Sequence, residues 1–170
     1  MSHLQGKLNF VPNQAQDSLG RFFPNTRQTT RTHEFETMYQ GRYIRWNPVP
    51  KYEGKRMYCE AVHDDWEGFR IWLSPDPHGR MLVVSFPSVL FYANSNEGTR
   101  LSKVENEEEV KFPHVFWKVE NSSLVAELHR QSSGTTESLN ITHYAFLSCS
   151  DCIDVLATEE PVFRGGASDA

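Results

Sequence analysis

The stretch that most restricts the fold is Phe69 to Tyr92, FRIWLSPDPHGRMLVVSFPSVLFY, where three apolar runs are separated by a Pro/Gly turn and a lone proline. Phe69, Ile71 and Leu73 alternate with Arg70, Trp72 and Ser74, the period-two pattern of a strand with one buried face. Pro75-Asp76-Pro77-His78-Gly79 combines prolines of fixed φ with a glycine of free φ, so the chain can reverse there. Met81 to Phe86, MLVVSF, is β-branched and apolar, which predicts a strand covered on both faces. Pro87 has no N–H and interrupts the ladder before Ser88 to Tyr92 resumes as a third extended run. A central antiparallel sheet follows from these runs.

Around it, Phe35 to Tyr39 and Arg42 to Trp46 flank a reversal at Gln40-Gly41, while Met57 to His63, His114 to Val119 and Ile141 to Leu147 read as further strands. His63-Asp64-Asp65-Trp66-Glu67-Gly68 is expected to connect to the central hairpin, and Asn94-Ser95-Asn96-Glu97-Gly98 to form a turn. Asn121 or Ser122 can cap a helix with Leu124, Val125 and Leu128 on one face, ended by Ser132-Ser133-Gly134. Ser148-Cys149-Ser150-Asp151 resembles a capping box, which predicts a second helix through Cys152, Ile153, Val155 and Leu156 before Pro161. The expected fold is α+β and mainly antiparallel β, with about eight strands and two short helices in the C-terminal third.

A length of 170 residues suits one globular domain. Residues 1–33 are polar and aperiodic, which predicts a flexible arm that Phe22-Phe23 could anchor; residues 34–164 form the expected domain and 165–170 a loose tail. The net charge of −5 divides as +3 over residues 1–33 and −8 over the remainder. That balance argues against nucleic acid as a partner and favours a basic protein. No run is long and apolar enough for a membrane helix. Three cysteines, Cys59, Cys149 and Cys152, are too few for a disulfide scaffold and suggest a reducing cytoplasm.

Chemical motifs are sparse. Cys149-Ser150-Asp151-Cys152 has the spacing of a redox pair, but a thioredoxin-like reading needs a βαβ framework that these elements do not supply. Zinc could draw on Cys149, Cys152, His143 and His129, although a structural site normally uses two paired clusters. His63, Asp64 and Asp65 gather an imidazole and carboxylates near Glu60 and Glu67, and His143 precedes Tyr144 in a strand; these are the candidates for acid/base or ligand-binding work. No phosphate loop, nucleophile elbow or dinucleotide fingerprint occurs, so no cofactor, metal or catalytic residue is assigned.

Aromatic residues are the stronger clue. Ten of them, among them Trp46, Trp66, Trp72, Tyr92 and Trp117, cannot all point inward from alternating strands, and exposed Trp, Tyr and Arg are typical interface anchors. A face carrying Arg42, Arg45 and Arg70 beside Trp46 and Trp72 would be such a surface. The last third, FWKVENSSLVAELHRQSSG followed by ITHYAFLSCSDCIDVLATEEP, resembles small bacterial proteins of the toxin-immunity type over roughly 45 residues. The resemblance implies a protein inhibitor and assigns no catalytic residue. The expected function is therefore a soluble, non-enzymatic protein-binding domain covering a basic toxin surface, with Trp66 and Trp72 as anchors and Glu105, Glu107, Glu108 and Glu109 supplying charge. The alternative is a ligand-binding domain or enzyme with an aromatic-lined pocket using His63, Asp64 and Asp65 or His143. A homodimer through exposed aromatics is a third.

Overall fold

The computed structural model describes residues 15–16, 22–23, 39–75, 80–96, 98 and 113–165. The chain divides into two compact units, Met1–Met38 and Tyr39–Ala170. In the first, β1 (Ala15–Gln16) pairs antiparallel with β2 (Phe22–Phe23); the rest of the expected arm lies outside the described residues, as do the expected Phe35 strand up to Met38 and the 166–170 tail.

The second unit holds two antiparallel sheets. The Phe69 region forms a meander: β4 (Tyr58–Asp65), β5 (Gly68–Ser74) and β6 (Leu82–Phe86) pair in sequence, and β11 (Val162–Gly165) adds beside β6. Pro87 ends β6, and the chain leaves that sheet there. The run beyond it becomes β7 (Phe91–Asn96), an edge of a five-stranded sheet with β3 (Arg42–Arg45), β8 (Phe116–Glu120), β9 (Thr142–Leu147) and β10 (Asp151–Ala157), in the order β3-β8-β9-β10-β7. One helix, α1 (Ser123–Gln131), and one 3-10 turn at Pro50–Tyr52 complete the described elements of this unit.

The inner faces of the sheets share one core. Phe69, Ile71, Leu73, Leu82, Val84 and Phe86 meet Phe116, Tyr144, Phe146, Ile153 and Val155. The alternation read in Phe69–Ser74 is thus the inward face of β5. Phe146 sits at the centre, with edge-to-face contacts to Phe86 and Phe116 at centroid separations of 5.9 and 6.1 Å, a geometry favoured by ring quadrupoles.

Three expectations change. The nine strands described in the two sheets exceed the expected eight because β10 and β11 are added, and Asn94, Ser95 and Asn96 are not a turn but the end of β7, paired with Ile153, Cys152 and Asp151. A partner strand satisfies the backbone there and overrides weak local preference. The expected second helix is instead β10. Ser148 does cap: its Oγ accepts from Asp151 N at 3.0 Å, but it closes the β9–β10 hairpin turn rather than opening a helix. Both faces of β10 are buried, and a run apolar on both faces carries no period that separates strand from helix. Finally, the connector before the central hairpin shrinks to Trp66-Glu67, since β4 continues to Asp65 and β5 begins at Gly68.

His114 gives the second unit an acid sensitivity. Its Nε2–H donates to the Trp46 carbonyl at 3.2 Å and its ring stands edge-on to Trp117. Burial, with a smaller effect of the Arg45 charge, holds its pKa below the ordinary 6.5 even though the hydrogen bond opposes the shift. The unfolded chain therefore takes up a proton that the folded chain resists. The stabilisation is complete above about pH 6.5 and is lost as pH falls from there toward the depressed folded value. Urea midpoints compared at pH 7 and pH 5 should fall less in His114→Gln than in the wild type; equal falls would place the acid sensitivity elsewhere.

Candidate functional sites at the hairpin tip and the helix cap

Trp66 stands at the tip of β4–β5 and is 92% exposed. The two loop residues keep negative φ and Gly68 takes φ +97°, the combination of an ordinary turn followed by a left-handed glycine that matches the twist of paired strands. Glu67 N donates to Asp65 Oδ1 at 2.9 Å, and Arg70 braces the loop by donating to both Asp65 oxygens, at 2.9 and 2.7 Å, and to Glu67. The guanidinium is largely covered while the carboxylates reach solvent. A bulky apolar ring is thus held out in water on a braced turn. Asp64 and Asp65 precede it in the chain and Glu67 follows it, with Asp65 and Glu67 paired to Arg70.

Trp72 lies on the outward face of β5, half-buried against His63 with ring centroids 5.3 Å apart. Its Nε1 is covered and has no acceptor among the described residues. Glu105, Glu107, Glu108 and Glu109 lie outside the described residues. The residues that could have shared an Arg/Trp face divide between the sheets: Arg42 and Arg45 belong to β3, whereas Arg70 and Trp72 belong to β5 of the other sheet. Trp46 instead packs on Tyr144 and Phe163 at 5.1 and 5.4 Å. Sheet membership, which depends on long-range pairing, separated residues of similar chemistry.

The polar residues named from the sequence also separate. His63, Asp64 and Asp65 lie on β4, whereas His143 lies on β9. Cys149 sits in the β9–β10 turn and Cys152 in β10, while His129 Nδ1 pairs with Thr136 Oγ1 at 2.8 Å. Among the described residues no three His, Cys, Asp or Glu side chains gather as a metal site. Cys149 and Cys152 lie at a hairpin between two strands, not at the start of a helix. Burial, reinforced by the Asp151 charge, pushes the Cys59 thiol up to about 11.

A second constellation emerges at the other sheet. His143 and Asp154 are diagonal neighbours on one face of the β9–β10 hairpin, since His143 faces Leu156 and Asp154 faces Ala145. His143 Nε2 lies 2.8 Å from Asp154 Oδ1, and His143 Nδ1 lies 2.7 Å from Ser122 Oγ. His143 is 2% exposed, Asp154 0% and Ser122 7%. The partners decide the tautomer: an ionised carboxylate only accepts, so Nε2 carries the hydrogen, Nδ1 accepts, and the serine hydroxyl donates to it.

Ser122 reaches this point through a strand–turn–helix. β8 ends at Glu120, Asn121 turns the chain with φ +52°, and Ser122 caps α1 by accepting from Val125 N at 3.3 Å. Asparagine tolerates this left-handed conformation better than most residues. Gln40 secures the same corner: its carbonyl accepts from Ser123 N at 2.9 Å and its N–H donates to Ser123 Oγ at 2.8 Å. Gly41 permits that approach, because a Cβ there would meet Val119 Cγ1 at 2.5 Å. Ser122 and His143 open onto a cleft of about 730 Å³ whose other walls include Lys118, Val125, His129 and Ile141. The sequence reading found His143 and the Ser122 cap separately. It missed Asp154, whose only signal is a lone carboxylate in an otherwise apolar run.

No protein family, curated protein or solved structure matches this chain. Among the described residues, no helix is long and apolar enough to cross a membrane.

Proposed function

We propose that the second unit is a protein-binding domain whose anchor is the β4–β5 tip, with inhibition of a bacterial toxin as the finer reading suggested by the resemblance of its last third. The observation that carries the binding reading is Trp66, 92% exposed on a turn braced by Arg70. Tryptophan is highly buried on average, and its exposure here costs the free chain the favourable transfer of a large apolar surface. A partner pocket recovers that transfer. The braced turn also reduces the ordering cost of binding, since the loop is already shaped. The acidic residues that flank Trp66 in the chain, Asp64, Asp65 and Glu67, favour a pocket with a basic rim, which would speed encounter more than it tightens the complex.

Trp66→Ala should weaken capture of the partner by about 30-fold or more, the loss typical of a central anchor. Its urea midpoint should stay within about 0.5 kcal/mol of the wild type, because the ring makes little of the fold's packing. The measurement is affinity capture from the native host with tagged wild type and variant, followed by titration of the captured protein. Undiminished binding by the variant would remove the tip as the anchor. Recovery of only the chain itself would assign Trp66 to self-association.

A further inference from the structure

We infer that Ser122 is a nucleophile with His143 as its general base and Asp154 as the positioning residue, in a cleft that accepts small uncharged acyl esters. This goes beyond the binding reading and uses residues on a different sheet. Four observations converge. The hydrogen-bond order Ser122–His143–Asp154 is that of an activated serine, with separations of 2.7 and 2.8 Å. The serine and imidazole both line the cleft. The imidazole–carboxylate pair is screened from water, as an oriented base requires. Finally, Ser122 stands at the N-terminus of a nine-residue helix, where backbone N–H groups and the dipole favour negative charge.

At the start of α1, Ser123 N donates to Gln40 and Val125 N to Ser122 Oγ. The ring is wired in reverse of the chymotrypsin arrangement, with Nδ1 rather than Nε2 toward the serine; both nitrogens can perform either role once the tautomer is set.

In the first step the Ser122 hydroxyl oxygen bonds to the ester carbonyl carbon, its proton passes to His143 Nδ1, and the carbonyl π pair moves onto oxygen. Collapse breaks the ester C–O bond, and His143 returns the proton to the departing alkoxide, releasing an alcohol and leaving acyl-Ser122. Water then attacks with the same base, releasing the carboxylic acid and restoring the hydroxyl. Asp154 stays ionised throughout and holds Nε2–H while the imidazolium exists.

The cleft sets the substrate class. Ile44, Val119, Val125, Ala126 and Ile141 give it aliphatic walls. Its charges are matched within the protein, Lys118 by Glu160 at 2.6 Å and Glu120 by Arg42. A short, uncharged acyl chain fits those walls better than an ionic ligand.

The test treats the intact chain with a fluorophosphonate and locates the adduct by peptide mass spectrometry, alongside turnover of p-nitrophenyl butyrate. The expected result is one adduct per chain on Ser122 and a burst of p-nitrophenolate. Ser122→Asn keeps a good helix cap, so it should abolish adduct and burst while its melting temperature stays near wild type. Asp154→Asn should lower kcat by about a thousandfold or more with KM within about twofold, a split that loosened packing would not produce. Absence of an adduct on wild-type Ser122, or turnover in Ser122→Asn equal to wild type, overturns the assignment and leaves the three residues as a fastening between α1 and the sheet. The wild-type labelling result stands even where a variant fails to fold.

Discussion

His143→Ala is expected to destabilise the second unit by about 3–5 kcal/mol, and by more than Asp154→Ala does. The two substitutions look symmetrical on paper, because each removes one member of a pair that is 2% and 0% exposed. The groups left behind differ. Without the imidazole, Asp154 loses the Nε2–H donor at 2.8 Å in a water-excluded site, where a carboxyl group deprived of a hydrogen-bond donor is costly in either protonation state. Without Asp154, His143 can remain neutral and still accept the Ser122 hydroxyl at Nδ1. Small domains have only about 5–15 kcal/mol of stability, so the loss should be visible as a large shift of the urea midpoint at pH 7. Equal losses, or a larger one in Asp154→Ala, would show that the carboxylate is held by interactions stronger than the imidazole.

Phe146→Ala should cost a similar amount, about 3–5 kcal/mol, for an apolar reason. Phe146 is 0% exposed and stands where the two sheets meet, against Phe86 from one and Phe116 from the other. Truncation leaves a cavity that two paired sheets cannot close, since their backbones are fixed by cross-strand hydrogen bonds. Phe163 is a useful contrast. It packs against Trp46 and Phe116 at 5.4 and 5.9 Å but is half-buried on the edge strand β11. Phe163→Ala should therefore cost clearly less. If the two truncations proved equal in thermal or urea unfolding, the shared core would not be centred on Phe146.

The two effects show where the sequence was readable. The α1 cap at Ser122, the Leu124/Val125/Leu128 face and the strand read over Ile141 to Leu147 all depend on neighbours within a few residues, and all appear in the structure. Pro87 correctly marked a break, because the missing N–H is a property of the residue itself. The same local reading failed at β10. Ser148 accepts an N–H three residues on in a helix cap and in this hairpin turn alike, so the side chain could not say which element followed. Only pairing with both β9 and β7 decides that Asp151–Ala157 is a central strand.

The sites divide along the same line. Trp66 was legible as a candidate because a tryptophan between acidic residues before a glycine already suggests an exposed turn; its 92% exposure and the Arg70 brace required the folded hairpin. Asp154 was not legible at all. It is separated from His143 by 11 residues and from Ser122 by 32, and no local period links these positions. By itself the sequence determined the predominance of antiparallel strands, the position of the helix and its cap, because turn chemistry and side-chain alternation act over a few residues. Strand order, the choice of sheet for each aromatic and the meeting of Ser122, His143 and Asp154 were decided by tertiary structure. Those features arise from long-range backbone pairing and burial, whose partners are set by how the whole sheet closes rather than by the residues on either side.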